Sequence, residues 1–105
     1  MSQAESWQRR QVQDQSRLYL LGDWRVAHLD TLLKHFDWQR DGQSCAAIAL
    51  DELEGGDSAT LALLMEWTQL QERRGVTLHI HGMKPALQEL VALYRLQEML
   101  HLCDD

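Results

Sequence analysis

Ser58 and its neighbour Asp57 are the side chains in this sequence whose types and positions best suit chemistry or regulation. They follow an acidic, glycine-containing turn and precede apolar residues at helical spacing, so either could cap a helix by accepting hydrogen bonds from its first N–H groups. A phosphate on Ser58 would meet the positive end of that helix, although the charge of Asp57 would oppose it. The same pattern also fits a purely structural role, in which both residues only cap the helix.

Histidines and acids suggest two further sites. His79 and His81 share one face of a predicted strand and could bind a metal as a pair, but no cysteine or carboxylate at a familiar spacing completes such a site. The alternative is two half-exposed histidines on an open sheet face. No nucleophile has a general base at an arguable spacing, so we expect no catalytic activity, no cofactor and no metal. A cluster of acids could hold a divalent cation or form a solvated turn, and it comprises Asp51, Glu52, Glu54 and Asp57.

Two tryptophans leave two roles open. Trp67 lies at the edge of the apolar stripe of the helix that follows Ser58, and Trp24 follows a predicted turn. Aromatic residues in such positions are most often part of the core, but partly exposed tryptophan is enriched in protein interfaces. Trp67 is therefore a candidate for either role.

The elements that must position these residues alternate between strands and helices. An unbroken apolar run at 45–50 is too short for an independent helix and predicts a central strand covered on both faces. This order predicts an α/β domain with a central mixed sheet of four or five strands, three main helices and a short C-terminal helix. Further strands are predicted at 7–13, 18–21 and 76–81, turns or loops at 14–16 and 40–44, and the three helices at 26–38, from Asp57 or Ser58 to Arg74, and from Pro85 to Tyr94.

Apolar spacing also predicts which side chains are buried. Gly75 should end the second helix, where a left-handed residue is common. The last apolar segment should close over the core. The buried stripe of the third helix is predicted to be Leu87, Leu90, Val91 and Tyr94, and the closing segment Leu96, Met99, Leu100 and Leu102.

Length and composition exclude several classes of function. The 105 residues suit one domain, residues 1–105, of which 1–6 are expected to be disordered. The formal net charge of −6 argues against nucleic acid as a partner, since a phosphate backbone needs a basic face. No apolar run approaches the ~20 residues of a membrane span, and the polar start is not a secretory signal. Cys45 and Cys103 are expected to be free thiols in a reducing compartment, so we expect a cytoplasmic location.

Together these motifs resemble a STAS domain over roughly residues 17–100. The matching features are a strand that ends in Leu50-Asp51, the sequence Asp57-Ser58-Ala59 at the start of an apolar helix, and a strand that ends at Gly82. The resemblance implies a non-enzymatic regulatory or protein-interaction domain, with Ser58 as the regulated hydroxyl. The sequence departs from the family at Thr60, where glycine is usual, and in a turn before Asp57 that is about two residues shorter.

Two branches of the family imply different partners. The sequence Leu21-Gly22-Asp23-Trp24 is similar to the opening of STAS components in bacterial Mla-type phospholipid ABC transporters. That branch implies an ATPase or permease partner at the inner face of the inner membrane. The alternative is an anti-sigma-factor antagonist, switched by a kinase that phosphorylates Ser58. Both imply a partner site at the start of the second helix, comprising Asp57, Ser58, Ala59 and Thr60, with Trp67 toward its rim.

Overall fold

The fold, taken from a computed structural model that describes residues 6–36, 42 and 45–103, is built on a mixed sheet of five strands. Their order is β1-β2-β4-β6-β7, and a small second sheet pairs β3 with β5. Strands β1 and β2 are antiparallel, and the other pairs are parallel. The predicted α/β class, mixed sheet and three main helices are thus confirmed. The elements are β1 (Trp7–Val12), β2 (Gln15–Leu20), β3 (Gly22–Asp23), α1 (Val26–His35), β4 (Ala47–Ala49), β5 (Leu53–Gly55), α2 (Ser58–Arg73), β6 (His79–His81), α3 (Pro85–Leu93) and β7 (His101–Cys103).

Strand register places an apolar row on the face of the sheet that the helices cover. Leu18 pairs with Ile48, and Ile48 pairs with Ile80. All three are buried, as the small, apolar central strand predicts. Because side chains alternate along a strand, the neighbours of this row point to the opposite face. The helices contribute to the same core Leu61, Leu64, Trp67, Leu87 and Val91.

Phe36 joins several elements through aromatic contacts. Its ring meets those of Trp7, Trp24 and Trp67 edge to face, with centroids 5.0, 6.2 and 5.7 Å apart, an arrangement that aromatic pairs favour. Trp67 is fully buried, and its indole N–H donates to the carbonyl of Gly42 at 3.0 Å. Of its two predicted roles, the structure therefore assigns Trp67 to the core.

The C-terminal segment differs from the prediction. The expected short helix is wrong, because residues 97–99 form a turn and His101–Cys103 form the edge strand β7 beside β6. Leu96 and Leu100 are buried as expected, whereas Met99 and Leu102 are 42% and 38% exposed. Apolar residues at helical spacing suggested a helix here, but pairing with a strand distant in sequence decides the conformation.

Several predicted boundaries also shift. Helix α3 ends at Leu93, so Tyr94 lies at its cap and is 51% exposed, not part of the buried stripe. The first turn is at 13–14, not 14–16, and both its residues have positive φ, as a two-residue hairpin turn requires. Strand β6 begins only at His79. Gly75 follows the cap residue Arg74 of α2 in a left-handed conformation.

The start of the chain that is expected to be disordered and the predicted 40–44 loop lie mostly outside the described residues. The carbonyl of Ser6 accepts a hydrogen bond from the N–H of Leu21 at 2.8 Å. Residues 1–5, 37–41 and 43–44 lie outside the described part of the chain. The end of the predicted 26–38 helix falls there as well.

Leu64→Ala should lower the free energy of unfolding by about 2–5 kcal/mol, because the side chain is fully buried and its removal leaves a cavity. Urea unfolding followed by circular dichroism measures the loss. Leu93→Ala is the matched control, since Leu93 is 70% exposed and its truncation should change stability by less than about 0.5 kcal/mol. A loss below about 1 kcal/mol for Leu64→Ala would mean that the Leu64 side chain does not face the core.

Candidate functional site

The candidate site begins with the carboxylate of Asp57, which joins the first turns of two helices. One oxygen, Oδ1, accepts from the N–H groups of Ala59 and Thr60 at 3.0 and 3.2 Å. The other, Oδ2, accepts from the N–H of Val26, the first residue of α1, at 3.1 Å. Of the two possible capping residues, Asp57 is therefore the one that caps α2, and it also satisfies a free donor of α1.

Thr60 completes this arrangement from inside. Its hydroxyl accepts from the N–H of Asp57 at 3.0 Å, which closes a capping box. The same hydroxyl donates to the carbonyl of Trp24 at 2.7 Å, and the residue is fully buried. The residue that departs from the usual glycine thus has a structural role, since it links the α2 cap to the segment that leads into α1.

Ser58 is the exposed hydroxyl of this site. It is the first residue of α2 and is exposed, whereas Asp57 and Ala59 are half-buried. Thr60 and Trp67, which the family resemblance also assigns to the partner site, are fully buried. The prediction that Trp67 lies toward the rim of the partner site is therefore wrong, because its side chain packs into the core. A partner can therefore contact only the accessible residues of the predicted site, which are Asp57, Ser58 and Ala59.

Two carboxyl groups near the α2 cap are held in their ionised form. Desolvation opposes the charge of Asp57, but hydrogen bonds from the N–H groups of Val26, Thr60 and Ala59 outweigh it and lower its pKa. Asp23 has a pKa well below its usual range, chiefly because the Arg25 guanidinium donates to it. These carboxylates therefore keep their charge at neutral pH.

The acids at 51–57 that could bind a divalent cation are not grouped into a metal site. Glu52 is held by an ion pair with Arg10, whose side chain also lowers the pKa of Glu52. Asp51 and Glu54 are exposed. Among the residues that the structure describes, no group of three or more histidines, cysteines and acids is arranged to hold a metal ion. The geometry therefore gives no support to a divalent cation at this turn.

Two histidines of β6 lie in different environments. His79 is exposed, whereas His81 is buried, so the expectation that both are half-exposed is wrong for His81. The pairing of β6 with β7 brings the thiol of Cys103 within 3.6 Å of Nδ1 of His79. The fold thus brings together a thiol and an imidazole from two separate strands. Sequence spacing could not reveal it, since the two residues are 24 apart and β7 was predicted as a helix.

Asp57→Ala should lower the free energy of unfolding by about 1–2 kcal/mol, because N–H groups of two helices lose their acceptor. Thermal and urea unfolding at neutral pH measure the change. Glu54→Ala is the control, since it removes an exposed acid nearby and should stay within about 0.5 kcal/mol of the wild type. A loss no larger than that of the control would show that the bridge contributes nothing to stability.

The pH dependence of the same variant has a definite sign. Folding lowers the pKa of Asp57, so its stabilisation is fully present above the unfolded value of about 3.9 and is lost as the pH falls through the folded value. The difference in stability between the wild type and Asp57→Ala should therefore shrink below about pH 4. A difference that stays constant or grows in acid would contradict this origin.

Thr60→Val should lower stability by about 1–3 kcal/mol, since it keeps the shape but leaves the Trp24 carbonyl and the Asp57 N–H without their partner. Thr60→Ser retains the hydroxyl and should lose less. Equal losses in the two variants, measured by urea unfolding, would mean that packing rather than hydrogen bonding explains the role of Thr60.

A known protein family matches most of this chain. A search of curated proteins finds no match to the chain. In the described residues, no helix has the length and apolarity needed to cross a membrane. A family model described as "Mlab, STAS domain" matches residues 7–102, which run from the start of β1 into β7. The chain therefore belongs to the STAS domain family.

Proposed function

We propose that this domain is a non-enzymatic interaction module that docks a protein partner at the Ser58 end of α2. STAS domains are generally binding or regulatory domains without enzymatic activity. The observation that carries the proposal is an exposed hydroxyl on a rigid support. Ser58 opens a helix whose first turn is fixed by the Asp57 and Thr60 hydrogen bonds, so a partner meets a surface that is ordered before binding.

The contact surface follows from exposure on α2. Ser58 and, one turn later, Ala62 are exposed, and Ala59 is half-buried between them. Small side chains let a partner approach the helix closely, and the hydroxyl can donate or accept a hydrogen bond. Asp57 belongs to this surface through its charge, although its carboxylate oxygens are engaged by backbone N–H groups. We thus narrow the partner site to Asp57, Ser58 and Ala59.

The partner that we favour is the ATPase or permease of a Mla-type phospholipid ABC transporter. The matching family model carries the description "Mlab", which supports this branch over other STAS proteins. The Gly22-Asp23-Trp24 sequence is similar to the opening of that branch. Its first two residues form β3, and the carbonyl of Trp24 accepts the hydrogen bond from the Thr60 hydroxyl. Under this proposal the domain acts in the cytoplasm, at the inner face of the inner membrane.

A second candidate is an anti-sigma-factor antagonist, and the accessibility of Ser58 favours it. An exposed hydroxyl at a helix N-terminus can enter a kinase, and the helix dipole favours a phosphate at that end. The two candidates differ in one covalent outcome. Incubation with the captured partner and ATP should add a phosphoryl group to Ser58 only if the partner is such a kinase, and intact-mass measurement reports it.

Ser58→Asp should weaken the partner complex by at least about tenfold while leaving the melting temperature nearly unchanged. The added carboxylate would have to lose water at the interface without a counter-charge, which is costly, whereas a negative charge suits a helix N-terminus in the free domain. The partner is first captured from the native host with the wild-type domain. Its affinity for each purified variant is then measured by surface plasmon resonance.

Two controls separate site from fold and charge. Ser58→Ala removes the hydroxyl without adding charge and should weaken binding less than Ser58→Asp. Thr77→Asp adds the same charge at an exposed position before β6, at the opposite end of the parallel strands, and should bind as the wild type does. Wild-type affinity for Ser58→Asp would exclude this surface as the contact. A large fall in its melting temperature would instead make Ser58 a structural residue.

A further inference from the structure

We infer that Cys103 is a site of reversible thiol modification by low-molecular-weight disulfides, with His79 as the base that accepts the thiol proton. The inference concerns the sheet face opposite the buried row of Leu18, Ile48 and Ile80 and is independent of the partner site at Ser58. The Cys103 thiol and the His79 imidazole lie close together. Cys103 Sγ lies 3.6 Å from His79 Nδ1, within reach of an S–H···N hydrogen bond, whereas its other acceptor, the His101 carbonyl, is 4.0 Å away.

The strand register makes this contact a property of the fold. In the parallel pairing of β6 with β7, His79 lies opposite His101, and His81 lies opposite Cys103. These four side chains alternate with Ile80 and Leu102 and therefore share the face away from the core. Nε2 of His101 contacts Glu72 at 3.0 Å, so this histidine has its own partner. His79 is the imidazole next to the thiol.

The pair opens into a groove that can admit a small reagent. The groove has a volume of about 480 Å³, and its lining includes Gln15, Ser16, Ala47 and His81 together with the pair. Ala47 is small, so the reagent can reach the sulfur along the sheet surface. Among the described residues that line the groove there is no aspartate or glutamate, and a thiolate there meets no like charge from the lining. Half-buried cysteines beside histidine are the environments in which thiols react.

Cys45 provides the contrast within the same chain. It is buried in the core, where its thiol donates to the carbonyl of Ala47 at 3.0 Å. Burial raises the pKa of Cys45 to about 11. A disulfide reagent can reach this sulfur only after the fold opens. Reaction in the native state should therefore select Cys103, and reaction at Cys45 reports unfolding.

The chemistry is a thiol–disulfide exchange. The Cys103 proton passes to His79 Nδ1, and the thiolate attacks one sulfur of the reagent. A bond forms between Cys103 Sγ and that sulfur, the reagent's own S–S bond breaks, and its electron pair leaves with the second sulfur, which takes up a proton as a free thiol. Cys103 is oxidised to a mixed disulfide and the reagent is reduced. A second thiol reverses the reaction.

Glutathione disulfide is the test reagent, and intact mass with peptide mapping follows the reaction of the purified domain over time. We expect one glutathionyl group on Cys103, formed at least about a hundredfold faster than any adduct on Cys45. His79→Gln should slow the adduct at least about tenfold, because it removes the proton acceptor. His35→Gln, which changes an exposed histidine of α1 outside the groove, should react like the wild type.

Three results would overturn the inference: comparable native-state rates at Cys45 and Cys103, no adduct on Cys103, or an unchanged rate in His79→Gln. Labelling of Cys45 checks each variant for folding. Where it shows that His79→Gln opens the fold, His79→Asn replaces it under the same expectation. A wild-type rate in a folded His79→Asn protein would equally exclude His79 as the base.

Discussion

The bridge that the Asp57 carboxylate forms between the first turns of α1 and α2 is the constraint on which the arrangement of this domain depends. Every helix begins with N–H groups that lack a partner within the helix. Here one side chain satisfies such groups in two helices, through Val26 on one side and Ala59 with Thr60 on the other. The first turns of the two helices are thus tied to each other. The buried hydroxyl of Thr60 anchors the first turn of α2 to the segment before α1.

This bridge also divides the family's motif into two kinds of residue. Asp57 and Thr60 use their polar atoms within the domain, so their replacement affects folding. Ser58 lies between them in sequence but points outward, because successive helical residues are separated by about 100° around the axis. A substitution at Ser58 therefore need not disturb the cap. The replacement of glycine by Thr60 is then a change in how the helix is fixed, not a change in the exposed surface.

Much of this fold could be predicted from periodicity, and the failures have physical causes. The run at 45–50 and the start of α2 were predictable because apolar continuity and capping chemistry are local signals. Strand β7 was not, since three residues become a strand only through pairing with β6. Trp67 illustrates the same limit in the site. Helical spacing locates it at the edge of a stripe, but its burial depends on Phe36 and Gly42, which are distant in sequence.

The pair formed by His79 and Cys103 follows from that same unpredicted strand. A parallel sheet aligns residues from separate strands in rows across each face, so the edge strand decides what lies next to the exposed imidazole. Had residues 101–103 formed the predicted helix, the thiol would have no defined relation to β6. Core packing fixes Ile80 and its row, whereas the other face of the same strand carries the polar side chains of His79 and His81.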